Sequence, residues 1–250
     1  MPLCVAIVGT GTAGPAAGIF LARAGHKVTL FERAPAEEAV GAGFLLQPTG
    51  LSVLRELGVE KDVLAITEKI DALYCRTRSG RVLLDLSYAD LDDGLFGLGT
   101  HRSSLLRVLL SKLANEGVEV QWGREIKSMS LKGQARFLED GAGKKEGPFD
   151  LVLICDGARS SLRDQAGIKC RVDRYPWGAL WFVGRRTDEF ERDQLWQCVG
   201  STRELCGFLP TGTDDDLLSL FWSVRMADEI PDLSNWKKQV LGLVPQAESL

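Results

Sequence analysis

Leu3-Cys4-Val5-Ala6-Ile7-Val8-Gly9-Thr10-Gly11-Thr12-Ala13-Gly14 decides the fold. Six apolar residues close on a glycine, the pattern of a strand buried on both faces. Gly9, Gly11 and Gly14 then space out G-x-G-x-x-G. Behind them Ala13 to Ala24 is rich in alanine and stops at Gly25, which reads as a helix with a glycine terminator. His26 to Phe31 follows as a second strand, centred on Lys27-Val28-Thr29-Leu30-Phe31. Strand, helix and strand in about 30 residues make a βαβ unit with a right-handed crossover.

In that setting each glycine has its own purpose. Gly9 makes the tight turn, Gly11 lets a pyrophosphate approach the backbone, and Gly14 packs helix on strand. The helix start presents free N–H groups and a positive dipole end to phosphates. Glu32 stands 18 residues after Gly14, at the end of the second strand. A carboxylate there accepts hydrogen bonds from an adenosine ribose diol and disfavours a 2′-phosphate. The motif alone does not separate FAD from NAD.

The same stretch admits a competing reading. Leu3 to Ala22 is 20 residues without a charge, long enough for a bilayer, and it contains Gly14-x-x-x-Gly18. Pro15 and four glycines interrupt it, and no basic region precedes it as in a signal peptide. The nucleotide-binding turn explains the run position by position, so no transmembrane segment is expected.

Composition describes an ordinary soluble globular chain. The 250 residues carry 34 acids against 30 bases, a net charge of -4, which argues against a nucleic-acid surface. A chain of this size buries roughly 70–75% of its unfolded surface and needs no staple. The two histidines, His26 and His101, are 75 positions apart, so no local histidine pair for a metal exists and no metal site is expected. Six cysteines at 4, 75, 155, 170, 198 and 206 show no C-x-x-C spacing. Cys4 and Cys155 fall in apolar runs that read as buried strands. The set reads as reduced structural thiols, which suits the cytoplasm.

Further along, Pro48 to Leu57 is a helix opened by proline and stopped by Gly58. Ile70 to Leu86 reads as a hairpin turning at Ser79-Gly80. Arg102 to Asn115 is a helix with Leu105, Leu106, Leu109, Leu110 and Leu113 on one face. Short strands follow, turning at Lys132-Gly133 and around Gly141 to Gly143. Leu151 to Ile154 reads as another fully buried strand that runs into Asp156-Gly157. Residues 171–250 hold 10 of the 19 aromatics. Strands such as Ala179 to Val183 and Leu217 to Val224, with turns like Pro210-Thr211-Gly212, suggest an antiparallel sheet there. Asp214-Asp215-Asp216 lacks the alternating ligand spacing of a calcium loop and reads as a solvated turn.

Four ordered segments carry a resemblance. Beside the glycine-rich turn stand Phe31-Glu32-Arg33-Ala34-Pro35, then Gly41-Ala42-Gly43-Phe44-Leu45-Leu46-Gln47-Pro48-Thr49-Gly50-Leu51, then Gly99-Thr100-His101-Arg102. The last is Asp156-Gly157-Ala158-Arg159-Ser160-Ser161-Leu162-Arg163. Together they resemble the FAD-dependent aromatic hydroxylases, single-component flavoprotein monooxygenases typified by para-hydroxybenzoate hydroxylase. The resemblance covers residues 3 to about 170 well and the rest loosely. It implies an α/β fold: a Rossmann-like FAD-binding domain over 1–66 and 98–170, and a β-rich, antiparallel substrate domain over 67–97 and 171–250. It implies Gly9, Gly11, Gly14, Glu32, Arg33, Gly43, Gln47, Arg102 and Asp156 as cofactor-binding residues, with Arg102 on the flavin nucleotide. The Asp156 segment is implicated in flavin and NAD(P)H binding alike.

From the residues themselves, Arg102 also reads as a solvated helix end, and Gln47 as an exposed amide. Asp156 also reads as an Asp-Gly turn or a cap for a helix begun at Ser160 or Ser161. The implied activity is hydroxylation of an aromatic or related small molecule by O₂, with NAD(P)H as co-substrate docking transiently, since no second G-x-G-x-x-G occurs. The cofactor carries that chemistry, so no catalytic acid or base is named. Trp177 to Trp222 is the expected substrate wall, with a packed sheet core as the plainer role for most of its rings.

One family element is missing. No Gly-Asp dipeptide occurs in the 250 residues, whereas the family places one beyond its substrate sheet. The chain is therefore expected to be an amino-terminal portion, with incomplete domains. Two other readings follow from this: an inactive nucleotide-binding module, or a halogenase or prenyl reductase on the same scaffold.

Overall fold

A computed structural model describes residues 1–37, 42–212, 216–226 and 232–250. Gly41, Asp214 and Asp215, which figure in the expectations above, lie outside the described residues. In chain order the elements begin with β1 (Cys4–Val8), α1 (Ala13–Arg23), β2 (Lys27–Phe31), β3 (Gly43–Leu46), α2 (Pro48–Glu56), α3 (Glu60–Leu64) and β4 (Glu68–Ile70). Then come β5 (Ala72–Thr77), β6 (Val82–Ser87), β7 (Gly97–His101), α4 (Arg102–Asn115), β8 (Glu119–Gln121), β9 (Ile126–Lys132), β10 (Ala135–Asp140), β11 (Lys145–Phe149) and β12 (Leu151–Ile154). The last are β13 (Trp177–Arg185), β14 (Gln194–Ser201), β15 (Glu204–Gly212), β16 (Leu217–Arg225) and α5 (Leu233–Leu243).

The chain divides into two compact units, Met1–Ala39 with Leu105–Val172, and Val40–Ser104 with Asp173–Leu250. The sequence places 42–66 and 98–104 with the first set of residues. The contacts place them with the second, because β3 and β4 both pair with β7 and Gly99 of β7 lies against Pro210 of β15. Among the described residues no helix is long and apolar enough to cross a membrane.

In the first unit, β12, β1, β2 and β8 form a parallel sheet in that order. Val5, Ala6 and Ile7 are fully buried because the central strand is covered on both faces. On one face Ala6, Val8 and Phe31 pack with Ile126, Leu138 and Leu162. Ile126 and Leu138 belong to an antiparallel sheet ordered β11-β10-β9. On the other face Gly18 of α1 lies so close to its neighbours that an added Cβ would stand 2.8 Å from Leu113 and 3.2 Å from Leu30. The Gly14-x-x-x-Gly18 spacing thus serves contacts inside a globular unit. Leu105, Leu109 and Leu113 of α4 are buried, at every fourth residue of one helical stripe.

Two burial expectations need correction. Leu151 to Ile154 forms a strand, yet all four residues are half-buried, because β12 is an edge paired only to β1. Cys4 is exposed as the first residue of β1, and Cys155 is half-buried just past β12.

The second unit holds a six-stranded sheet ordered β13-β16-β15-β14-β5-β6. It is antiparallel except between β14 and β5, a parallel pair that the sequence did not suggest. The β5–β6 hairpin turns at Gly80, whose φ of 88° suits glycine. Pro210-Thr211-Gly212 is no turn: it ends β15, with Pro210 opposite Leu218 and Gly212 opposite Leu217. One face is covered by α5, where Trp236, Val240 and Leu243 meet Phe208, Leu220 and Trp222. Phe190 stacks on Phe208 at 4.3 Å between ring centres. Phe190, Phe208 and Trp222 of the aromatic stretch are therefore core with Trp196 packed against them, while Trp181 and Phe182 on edge strand β13 are exposed. Cys75, Cys198 and Cys206 sit in this sheet as free buried thiols, and burial pushes all three up in pKa.

The Gly18–Leu113 contact is open to test. Gly18→Val should cost about 1–3 kcal/mol of stability by overpacking, and Leu113→Ala about 2–5 kcal/mol through a cavity. Together in one chain they should cost less than the sum, because the truncation makes room for the new side chain. Urea denaturation of the three variants measures this, and strict additivity would contradict the contact.

Candidate functional site

Where β1 ends, the chain threads between its two neighbours. The Gly9 N–H donates to the Phe31 carbonyl at 2.8 Å, and the Cys155 N–H to the Val8 carbonyl at 2.8 Å. Gly9 has φ of 102°, and a Cβ there would stand 2.4 Å from the Cys155 carbonyl oxygen. A Cβ on Gly14 would stand 2.0 Å from the Gly9 carbonyl oxygen. Both positions reject any side chain for reasons internal to the unit. Gly11 differs: a Cβ there would meet nothing within 4 Å. Its bareness leaves open space over the turn.

That space adjoins the start of α1. Thr12, in the capping position, makes no side-chain cap bond, and the first turn contains no acid. The amide groups and positive dipole end of the helix thus receive no capping side chain and no first-turn carboxylate. Such an end suits phosphate.

Glu32, just past β2, is tied to the same turn. Its Oε2 accepts the Thr10 N–H at 2.8 Å and the Thr10 hydroxyl at 2.7 Å, and its Oε1 accepts the Ala34 N–H at 3.0 Å. Burial pushes the carboxyl pKa up, but those bonds, together with the charge of Arg33, outweigh it and hold the group below the usual range. Arg33 itself is exposed. Thr10, almost fully buried, was not singled out from sequence, since its position in the motif is a free x.

Asp156 follows β12 and lines a pocket of about 240 Å³ with Gly157, Ser160 and Arg163. No helix begins at Ser160 or Ser161. The Ser160 hydroxyl accepts the Arg163 N–H at 3.1 Å and opens a single 3₁₀ turn, Arg163–Ala166, which Gly167 ends at φ of 70°. The capping position of that turn is Leu162, which makes no side-chain cap bond, so the capping role considered for Asp156 is not seen there.

Gly43, Gln47 and Arg102 belong to the second unit. Gly43 pairs with His101, and a Cβ on it would stand 2.3 Å from the Ser219 hydroxyl and 2.5 Å from Thr211. Packing alone requires glycine there. Gln47 precedes α2, and its Oε1 accepts the Tyr88 hydroxyl at 2.7 Å. Burial raises the pKa of that hydroxyl against the opposing effect of the bond, so Tyr88 stays a donor that orients Gln47. At 41 positions apart, no local pattern announces the pair. Arg102 is exposed at the first position of α4, and its N–H reaches the Ala42 carbonyl at 3.4 Å.

A parallel βαβ unit with a bare turn glycine, an uncapped helix start and a carboxylate ending the second strand defines a dinucleotide-binding fold. Residues 3–229 match the family described as FAD binding domain, and the chain belongs to that family. Its cofactor is FAD. The putative FAD-dependent monooxygenase YetM of Bacillus subtilis (strain 168) is 32% identical over 162 residues, 64% of this chain and 43% of that protein. The 2-heptyl-3-hydroxy-4(1H)-quinolone synthase of Mycobacteroides abscessus is 29% identical over 245 residues, 96% of this chain and 64% of that protein. The chain thus spans less than two thirds of either relative. The tetrameric form of 2-methyl-3-hydroxypyridine-5-carboxylic acid oxygenase shares the fold at 24% identity, with a TM-score of 0.80, covering 100% of this chain and 68% of that one. The architecture is that of the para-hydroxybenzoate hydroxylase-like flavoproteins.

The residues present fit the group, as the two kinds of glycine make testable. Gly14→Ala forces a Cβ into the Gly9 carbonyl and should lower the apo melting temperature by several degrees. Gly11→Val has room in the apo protein and should leave that temperature almost unchanged while abolishing FAD binding. Differential scanning fluorimetry with and without FAD separates the two; FAD binding unchanged in Gly11→Val would contradict the open approach.

Proposed function

We propose that this chain is the nucleotide-binding part, with much of the substrate sheet, of an NAD(P)H-driven monooxygenase that hydroxylates an aromatic or related small molecule with O₂. The observation that carries the reading is the open backbone at Gly11 beside an uncapped helix start, with an ionised Glu32 across the same turn. The first unit supplies Gly9, Gly11 and Gly14 for the pyrophosphate and Glu32 for the ribose, with Arg33 alongside and Asp156 at the mouth of the pocket after β12. The resemblance adds Gly43, Gln47 and Arg102 as candidates, the Arg102 guanidinium being suited to a phosphate. Bound FAD supplies the redox chemistry and the activation of O₂. The protein's own contribution is to bind, orient and exclude water, and no side chain is assigned as an acid or base.

The substrate class follows the relatives, whose names specify a quinolone and a hydroxypyridine carboxylate. The family motif around Asp156 supports NAD(P)H as electron donor, docking transiently.

Glu32→Ala removes an ionised acceptor from the ribose, each such bond being worth about 1.5–3 kcal/mol, so FAD affinity should fall roughly 10–150-fold. Flavin fluorescence titration reads this directly, and an unchanged affinity would sink the Glu32 assignment. Oxidation of NAD(P)H by the FAD-loaded protein should be slow alone and faster with a phenol or hydroxylated N-heterocycle. Acceleration by halide or a prenyl lipid, and by no aromatic, would move the reading to a halogenase or a prenyl reductase.

A further inference from the structure

We propose that Thr10 is the positioning residue of this site: it fixes the Glu32 carboxylate so that Oε1 is the oxygen left to accept from the FAD ribose. This rests on the reading of Glu32 as the ribose acceptor. Oε2 already holds two donors from one residue, the Thr10 N–H at 2.8 Å and the Thr10 hydroxyl at 2.7 Å. Oε1 holds one, the Ala34 N–H at 3.0 Å. An ionised carboxylate offers roughly four acceptor positions, two on each oxygen. The vacant one is therefore on Oε1.

Two donors on one oxygen also stop the carboxylate from turning. A freely rotating glutamate loses rotamer freedom when it grips a ligand, whereas this one is ordered as part of the folded turn. The backbone donor is present whatever residue stands at position 10. The hydroxyl is not, and it is the specific contribution of threonine. The charged neighbour that acts on the carboxylate is Arg33. Arg124, whose N–H bonds the Glu32 carbonyl, turns its guanidinium to Asp140 at 2.7 Å and Glu146 at 3.0 Å.

Loss of a donor to the charged form raises a carboxyl pKa. Glu32 then protonates at a higher pH, and any affinity that needs its charge disappears earlier on acidification. A role confined to packing would not move that limb.

The experiment is a set of FAD titrations from about pH 4 to pH 8 on the parent chain, Thr10→Val, Thr10→Ser and Glu32→Ala, with circular dichroism of each apo protein. Thr10→Val keeps the shape and the N–H and should bind FAD about tenfold more weakly, with its acid limb displaced to higher pH. Thr10→Ser should restore both. If Thr10→Val fails to fold, Thr10→Ala makes the same comparison in less volume. Thr10→Val with the parent's affinity and acid limb, beside a weak Glu32→Ala, overturns the proposal and leaves the site reading standing. So does a weakened Thr10→Val whose limb stays in place or which serine does not rescue. Glu32→Ala with the parent's affinity overturns the site reading, and this proposal with it.

Discussion

The first unit turns on one close approach of backbone to backbone. Gly14 sits beneath the Gly9 carbonyl, and Gly9 in turn is wedged against the carbonyl of Cys155. Neither contact admits a Cβ, so the start of α1 can lie directly over the end of β1. The candidate site in that unit is positioned by this wedge. The helix start faces the space above Gly11, and the ends of β2 and β12 bring Glu32 and Asp156 to the same end of the sheet, where open α/β sheets bind their ligands.

The second unit uses the same device for another purpose. Gly43 rests on Ser219 and Thr211, and Gly99 lies where a Cβ would fall 1.8 Å from the Pro210 carbonyl. These contacts seat the small β3-β7-β4 sheet on β15 and β16. They are polar and tight, with Thr211 and Ser219 hydroxyls bonded at 3.0 Å in full burial, so the seating is specific in register.

Much of this was legible because local chemistry and global packing agree. Gly25, Gly58 and Gly80 stop or turn the chain where the pattern indicates, and α4 spans Arg102–Asn115 as read. The glycine-rich turn could be understood residue by residue, down to the contrast between Gly11 and Gly14. What escaped was pairwise and distant. Periodicity marks a strand as apolar but cannot say whether a neighbour will cover its second edge, so β12 was read as more buried than it is. Nor can it set strand direction, hence the parallel β14–β5 pair. The Tyr88–Gln47 bond and the Thr10–Glu32 pair join residues 41 and 22 apart, beyond any motif. Pro210 misled through its turn propensity: at the end of β15 it still lies within the ladder.

The order of the parallel sheet sets a timetable for the nascent chain. β1 pairs on one side with β2, twenty-odd residues away, but on the other with β12, Val5 standing opposite Leu151. At ribosomal rates of about 5–20 residues per second, the amino-terminal strand waits roughly 7–30 s for that second partner to be made. During the wait the whole β3–β7 region emerges, and an apolar strand that ends up buried has one edge unpaired. Such a strand invites chaperones or wrong pairing. The glycine wedge is slow for the same reason: the Cys155 carbonyl that closes it arrives only after the antiparallel β9–β11 sheet. Competence to hold a nucleotide is therefore acquired only once β12 and Cys155 have been made, well after the motif that announces it.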